Sequence, residues 1–331
     1  MPPVKIFSII IPFKSWSRDL EECLEKIQKQ TFSSYEVILL PDNKITLPEI
    51  YNELPVEIFP TGAVNPALKR DLGSEKATGQ FLAFIDDDAY PQPDWLEVAL
   101  NTLKNRDDIA AIGGPAITPK NDPFWARVFG AVFLSDFSGG FRERYVPSPP
   151  RRMIDDWPTV NLIVRKEVFN KVGGFNTEFW PGEDTKFCLD LTLNGFKMLY
   201  APELVVFHHR RPQLQKHLRQ VGNYGYHRAI FFKKFPQTSR RLIYSIPALF
   251  ALFFIGGGIL IILLPETKQV YEIGLLFYGL SLLIALKDIV KQESWTVAVL
   301  SVPYIFLTHL WYGLRFLQGL GNRKYKSSLG R

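Results

Sequence analysis

The chain has 331 residues, 47% of them hydrophobic, and a formal net charge of +6. That length accommodates one large or two modest domains. Its two cysteines, Cys23 and Cys188, exclude a disulfide framework and fit a reducing compartment, while the crowding of uncharged apolar residues after position 241 excludes a wholly water-soluble chain.

The first predicted element is a buried strand over residues 4–12, VKIFSIIIP, closed by Pro12. No charged-then-apolar leader precedes it, so the front of the chain is expected to stay cytoplasmic. Residues 17–30 read as a helix with Ser17 as N-cap and acidic residues in the first turn. A second strand, YEVILL at 35–40, ends in Pro41-Asp42-Asn43; a short strand at 56–59 and a helix around 65–77 come next. Strands alternating with helices predict a mostly parallel, doubly wound α/β sheet. Ligands of such sheets gather at the carboxyl ends of the strands, where Pro12 and Asp42 both fall.

The next strand carries the densest signal. In GQFLAFIDDDAYPQPDW, residues 79–95, an apolar run from Phe81 to Ile85 delivers Asp86, Asp87 and Asp88 and then breaks at Pro91 and Pro93. Residues spaced i, i+2 leave a strand on one side, so Asp86 and Asp88 can converge on a hard cation, Mg²⁺ or Mn²⁺. Further along, Pro181-Gly182-Glu183-Asp184 precedes apolar positions at Phe187, Leu189, Leu191 and Leu193. That pattern fits the start of a helix, with the two carboxylates as caps or as catalytic groups. A strand-like VVF at 205–207 leads into His208, His209, Arg210 and Arg211.

Residues 208–241 hold nine Lys or Arg, no Asp or Glu, and four of the chain's five histidines. The rest of the chain is therefore net acidic, and the basic excess is local. Its place ahead of the first long apolar segment, with Tyr224, Tyr226, Phe231, Phe232 and Phe235 interleaved, predicts contact with anionic membrane lipids rather than with nucleic acid. Spans are predicted at about 242–264, 270–290 and 295–317, a transmembrane region of 242–320. Lys233, Lys234, Arg240 and Arg241 set the start of the first span inside. Three crossings would leave the basic tail 321–331, with Arg323, Lys324, Lys326 and Arg331, outside, against the same rule. Three spans are expected, with a re-entrant or interfacial last segment as the alternative.

Five blocks, SIIIPFK at 8–14, LLPDN at 39–43, residues 65–96, NLIVRKEVFNKVGGFN at 161–176 and residues 181–209, together resemble the family 2 glycosyltransferases of GT-A fold over about residues 4–210. The resemblance implies a GT-A domain at 1–210, then a basic interfacial segment at 211–241. It implies that Pro12, Asp42, Lys69, Arg70 and Asp86 to Asp88 bind a nucleoside diphosphate sugar, linked to UDP, GDP or dTDP. Asp86 and Asp88, with His209, would face the Mg²⁺ or Mn²⁺ cofactor, while Arg210 grips phosphate and Arg219 lies in a lid. Asp184 resembles the family's catalytic base, with Trp157, Asn161, Trp180 and Glu183 on the acceptor side; core packing is an equal reading of both tryptophans. Lys69-Arg70-Asp71 departs from the family's usual Ala-Arg-Asn, Asn176 from a common aspartate, and Cys188 to Leu191 from a motif that often holds arginine.

The activity so implied is inverting, metal-dependent sugar transfer to a membrane-embedded or lipid-linked hydroxyl acceptor. A polyprenyl phosphate acceptor, already ionised, needs no base; Asp184 favours a hydroxyl. A non-catalytic membrane scaffold disagrees with carboxylates in both acidic motifs. A sugar nucleotidyltransferase disagrees with the glycine-free Phe13-Lys14-Ser15-Trp16 after the first strand. The residues fix neither the sugar nor the oligomeric state.

Overall fold

The computed structural model describes residues 5–175 and 179–322. Asn176, Arg323, Lys324, Lys326 and Arg331 lie outside the described residues. The chain divides into two compact units, one running to Ile117 and resuming at Val146–His209, the other formed by Thr118–Tyr145 and the described residues from Arg210 to Asn322. Residues 118–145, which the resemblance assigns to the first domain, cluster with the second unit.

In chain order the first unit contains β1 (Phe7–Pro12), α1 (Arg18–Gln28), β2 (Tyr35–Leu40), β3 (Val56–Ile58), α2 (Pro66–Lys76), β4 (Phe81–Phe84), β5 (Ala89–Pro91), α3 (Trp95–Leu103), β6 (Ile109–Gly113) and β7 (Ala116–Ile117). After the excursion that carries α4 (Phe124–Ala131), it resumes with β8 (Arg152–Ile154), β9 (Leu162–Arg165), α5 (Lys166–Val172), α6 (Glu183–Leu193), β10 (Lys197–Tyr200) and β11 (Val206–His208). Eight strands form one sheet in the order β3-β2-β1-β4-β9-β6-β10-β8. Its pairs are parallel except where β9 lies antiparallel between β4 and β6 and β8 antiparallel to β10.

Strands β1, β2 and β4 are buried along their whole length, because helices cover both faces of the sheet. One face packs against Leu20, Cys23, Leu24 and Ile27 of α1 and Trp95, Leu96, Ala99 and Leu103 of α3. The other packs against Ala67, Val168, Phe169, Phe187, Cys188 and Leu191 from α2, α5 and α6. Ser17 caps α1 by accepting from the Leu20 amide at 3.1 Å, and Asn65 caps α2 from the Leu68 amide at 2.9 Å, with Pro66 following. Register pairs Pro12 with Leu40, so β1 and β2 end level, and Ile10 with Phe84, so β4 ends two residues earlier on the same edge. That edge is where the acidic residues emerge. A smaller sheet, β5-β11-β7, pairs His208 with Ala89 and so holds β11 beside the Asp86 to Asp88 turn.

The second unit contains α4 and then α7 (Leu214–Lys234), α8 (Pro236–Ser239), α9 (Leu242–Leu263), α10 (Lys268–Val290) and α11 (Trp295–Gly321). Three helical segments, Leu242–Leu263, Pro265–Val290 and Trp295–Gly321, are long and apolar enough to cross a membrane. Their surroundings differ: 11% of the most apolar stretch is buried in each of the first two, against 33% in the third.

Candidate active site

Two buried cations organise the acidic edge. Lys69, on α2, directs its ammonium to the carbonyls of Phe13 and Leu40, at 2.5 and 2.9 Å, and to Asp42 Oδ1 at 2.7 Å. Three donors meet three acceptors, so a buried ammonium ties the ends of β1 and β2 to Asp42. Arg70, the next residue, faces the other way along the edge. Its guanidinium donates to Asp86 Oδ1 at 2.6 Å and to Glu183 Oε1 at 3.0 Å, and its Nε is buried with no partner. One guanidinium therefore joins the aspartate turn after β4 to the acidic start of α6.

The two carboxylates of α6 are treated differently by this arrangement. Glu183 is buried and paired with Arg70. Burial first, and the Asp184 charge second, push its carboxyl up to about 7, against the pull of Arg70. Asp184 is half-buried in the first turn of the helix and accepts from the Thr185 amide at 2.7 Å. Gly182, at φ +119, makes the turn into the helix in a region that favours glycine.

At the aspartate turn, burial and then the charges of Asp88 and Asp86 push Asp87 up to about 7. The same three aspartates add to burial in raising the Cys23 thiol on α1, which fixes Cys23 beneath the turn as a packing residue. His208 Nε2 lies 3.1 Å from Asp88 Oδ1, whereas His209 sends its ring to Glu22 Oε2 at 3.1 Å and only its backbone amide to the Asp88 carbonyl, at 2.9 Å. The imidazole within hydrogen-bond distance of the Asp88 carboxylate is that of His208, whereas the ring of the expected His209 meets Glu22. Consecutive residues of a strand point to opposite sides, and β11 extends through His208 rather than ending at 207.

Other expected site residues are held elsewhere. Trp157 is buried, with its ring against Tyr200 and its indole donating to the Gly114 carbonyl at 3.1 Å, so it is a core residue rather than a stacking platform. Asn161 is fully buried: it accepts from Trp95 Nε1 at 2.9 Å and donates to the Pro115 and Leu204 carbonyls at 3.2 and 2.6 Å. With its polar atoms committed, it joins β-strand ends instead of meeting an acceptor. Trp180 packs half-buried on the aromatic core beneath α6. Arg210 lies in the helical unit, donating to Asp122 and Thr118 at 3.2 Å each and stacking over Tyr145. Arg219 is exposed on α7 of the same unit.

The chemistry of the acidic turn suits a hard divalent cation. Among the described residues no three His, Cys, Asp or Glu groups form a metal cluster. Mg²⁺ and Mn²⁺ sites of nucleotide-using enzymes are completed by substrate phosphates and water around one or two carboxylates, and Asp86 and Asp88 supply those.

Comparison with known proteins agrees with this geometry. The sequence model for glycosyl transferase family 2 matches residues 8–173. A pre-mycofactocin glycosyltransferase of Mycobacterium tuberculosis is 29% identical over 196 residues, 59% of this chain but 41% of that protein, so the chain spans well under half of its length. A dolichyl N-acetyl-α-D-glucosaminyl phosphate 3-β-D-2,3-diacetamido-2,3-dideoxy-β-D-glucuronosyltransferase of Methanococcus voltae is 23% identical over 342 residues, covering 98% of this chain and 100% of the relative. Among solved structures, a mannosyltransferase of Pyrobaculum calidifontis in complex with GDP-Man and Mn²⁺ superposes with a TM-score of 0.58 at 14% identity, over 98% of this chain and 89% of that one. The fold is GT-A.

Proposed function

The chain belongs to glycosyl transferase family 2, and on that premise we propose that this glycosyltransferase moves a sugar, with inversion, from a nucleoside diphosphate sugar to a hydroxyl of a lipid-linked acceptor at a membrane. One observation carries the reading: Arg70 grips Asp86 and Glu183 together, which draws the donor-side and acceptor-side acidic motifs to one edge of the sheet.

Asp42, held by Lys69, faces the base and ribose end of the donor; Asp86 and Asp88 face its diphosphate. Mg²⁺ or Mn²⁺ bound at Asp86 and Asp88 supplies Lewis-acid stabilisation of the leaving diphosphate. His208, beside Asp88, orients that carboxylate. Glu183 is buried against Arg70, and Asp184, half-buried in the first turn of α6, is the carboxylate that takes the acceptor proton. Arg70 fixes the spacing between donor and base, a positioning role.

A lipid-linked acceptor is supported by the full-length similarity to the M. voltae transferase, whose name specifies a dolichyl phosphate-linked sugar, and by the apolar helices that follow the catalytic domain. The basic residues ahead of α9 support a catalytic domain on the cytoplasmic face, with anionic lipids as their partners. The test is direct: detergent-solubilised enzyme, Mn²⁺ or Mg²⁺, a panel of UDP-, GDP- and dTDP-sugars and a polyprenyl-phosphate-linked monosaccharide. Sugar appearing on the lipid-linked sugar, and only with a divalent cation, is the expected result. Transfer to bare polyprenyl phosphate instead overturns the hydroxyl acceptor.

A further inference from the structure

Helix α11 has the length and composition of a membrane span, and its contacts contradict that use of it. Buried positions recur along its whole length, at Val297, Ala298, Ser301, Ile305, Thr308, Gly313, Phe316 and Gly319, so one face of every turn is covered by protein. The cover is not lipid-facing helix alone. Trp125 and Phe129 of α4 meet Tyr304 edge to face, and His217 of α7 meets Thr308 Oγ1 at 2.8 Å. Farther along, Gly222 and Gly225 of α7 lie against Trp311, Arg315 and Tyr312, where a side chain in place of either glycine would collide.

Both ends of α11 are fastened, and to the same part of the chain. At its start, Glu293 pairs with Arg127 of α4, and Asp288, just ahead in α10, accepts from Ser135 Oγ at 3.0 Å. At its end, Lys233 of α7 donates to the carbonyls of Gly319, Leu320 and Asn322, at 3.1, 2.8 and 2.5 Å. These are the carbonyls that a helix leaves without intrahelical partners, and a cation there is favourable. Midway, His309 Nε2 donates to the Ser138 carbonyl at 2.7 Å. Residues 118–145 and α7 all precede α9, and among the described residues before α9 no helix is long and apolar enough to cross a membrane. They lie on the side of the membrane from which α9 departs. A helix of 27 residues is about 40 Å long, and its two ends cannot sit on opposite faces of a bilayer core of about 30 Å while both are held from one face.

We propose that the chain crosses the membrane twice, as an α9–α10 hairpin, and that α11 lies in the membrane interface on the catalytic domain's side. The partner of its outer edge is the lipid surface. Away from its protein contacts the helix exposes Trp295, Val299, Leu300 and Trp311, two of them tryptophan, the residue type that favours the headgroup level. The hairpin tip carries Glu266, Lys268 and Glu272, charges suited to the water beyond the far face. Two crossings also return the chain to the basic collar's side before Arg323, Lys324, Lys326 and Arg331, so that the positive-inside rule holds at both ends.

The experiment is side-specific thiol labelling of full-length protein in sealed vesicles and needs no activity, so its result is separate from that of the transfer assay. Cys23 and Cys188 are buried and serve as the silent background, checked with the unsubstituted protein. Single cysteines go at exposed positions: Glu266→Cys at the hairpin tip, Gln292→Cys between α10 and α11, and Asn322→Cys after α11. The expected result is that Gln292→Cys and Asn322→Cys react with an impermeant maleimide from one face and Glu266→Cys from the other. Asn322→Cys reacting with Glu266→Cys and opposite to Gln292→Cys overturns the proposal in favour of three spans. Gln292→Cys and Glu266→Cys reacting from one face overturns the hairpin. Should Asn322→Cys fail to accumulate, Leu320→Cys, also exposed, reads the same end of the helix.

Discussion

At the acidic edge of the α/β unit the buried ion pairs converge, and along α11 in the helical unit they are dispersed. Arg70 holds Asp86 and Glu183 at one point, with Asp87, Asp88 and Asp184 crowded around it and Lys69 holding Asp42 along the same edge. The helical unit has the same chemical components, but Arg127–Glu293 stands at one end of α11 and Lys233 with its carbonyls at the other. Convergence leaves an excess of carboxylate, to which the proposed function assigns a cation and a diphosphate-bearing ligand. Dispersion leaves each pair satisfied in place, and what it determines is where a helix lies. An arginine–carboxylate pair therefore has no functional meaning by itself; the charge left over around it does.

The comparison is broken most severely at the acidic turn. Asp88→Ala removes the carboxylate that faces His208 and is expected to abolish transfer below detection while leaving the folded protein intact, since one of three mutually repelling carboxylates is lost. Sugar transfer, set against thermal unfolding of the same preparation, checks it; undiminished transfer in excess chelator would refute the metal role of Asp86 and Asp88.

Replacing the organising cations separates the two units. Arg70→Ala leaves Glu183 buried without its partner and is expected to cost about 3–5 kcal/mol of stability, the usual penalty for breaking a buried pair. Arg127→Ala, from a pair whose arginine is partly exposed, is expected to cost about 1 kcal/mol. Denaturant unfolding in detergent measures both, and equal costs would remove the distinction between a convergent and a dispersed site.

The helical unit has its own pH dependence. Burial, and then the Arg211 charge, lower His217 from 6.5 to about 4, so between those values the folded state binds fewer protons than the unfolded chain. The stabilisation is complete above 6.5 and is lost as pH falls toward 4, up to about 3 kcal/mol in all. His217→Gln, which can still reach Thr308, is expected to flatten the decline between pH 6.5 and 4; a decline unchanged in that variant places the titrating group elsewhere. The smallest effect is expected at Gly182→Ala: a φ of +119 costs alanine about 1 kcal/mol and tilts the start of α6, so a modest loss of turnover should accompany the loss of stability.

Much of this was legible in the residues. Apolar runs such as Phe7–Pro12 and Tyr35–Leu40 have one use in a doubly wound sheet, and Ser17 and Asn65 mark helix starts by chemistry that acts within four residues. The acidic motifs were equally plain, because their signal is local. What was hidden is non-local. That Trp157 and Asn161 face the core depends on Gly114, Pro115 and Leu204, which only the folded chain brings to them. The pairing of Arg70 with Glu183 joins elements far apart in sequence and has no local mark. The choice between His208 and His209 turned on a single residue of strand length, since a slip of one exchanges the two faces. For α11, composition signals a span as it does for α9; Arg127, Ser135 and Lys233, all distant in sequence, oppose it.

The central claim is that Asp184, and not the more deeply buried Glu183, takes the acceptor proton. Asp184→Asn keeps the size and the capping capacity of the side chain and removes its basicity. Single-turnover transfer at saturating donor, alongside donor binding measured directly, is the measurement. Turnover falling by about 10²–10⁴ with donor affinity unchanged is the result predicted. Turnover above about a tenth of the wild-type rate, with chemistry rate-limiting, would contradict it and point to an acceptor that arrives already ionised.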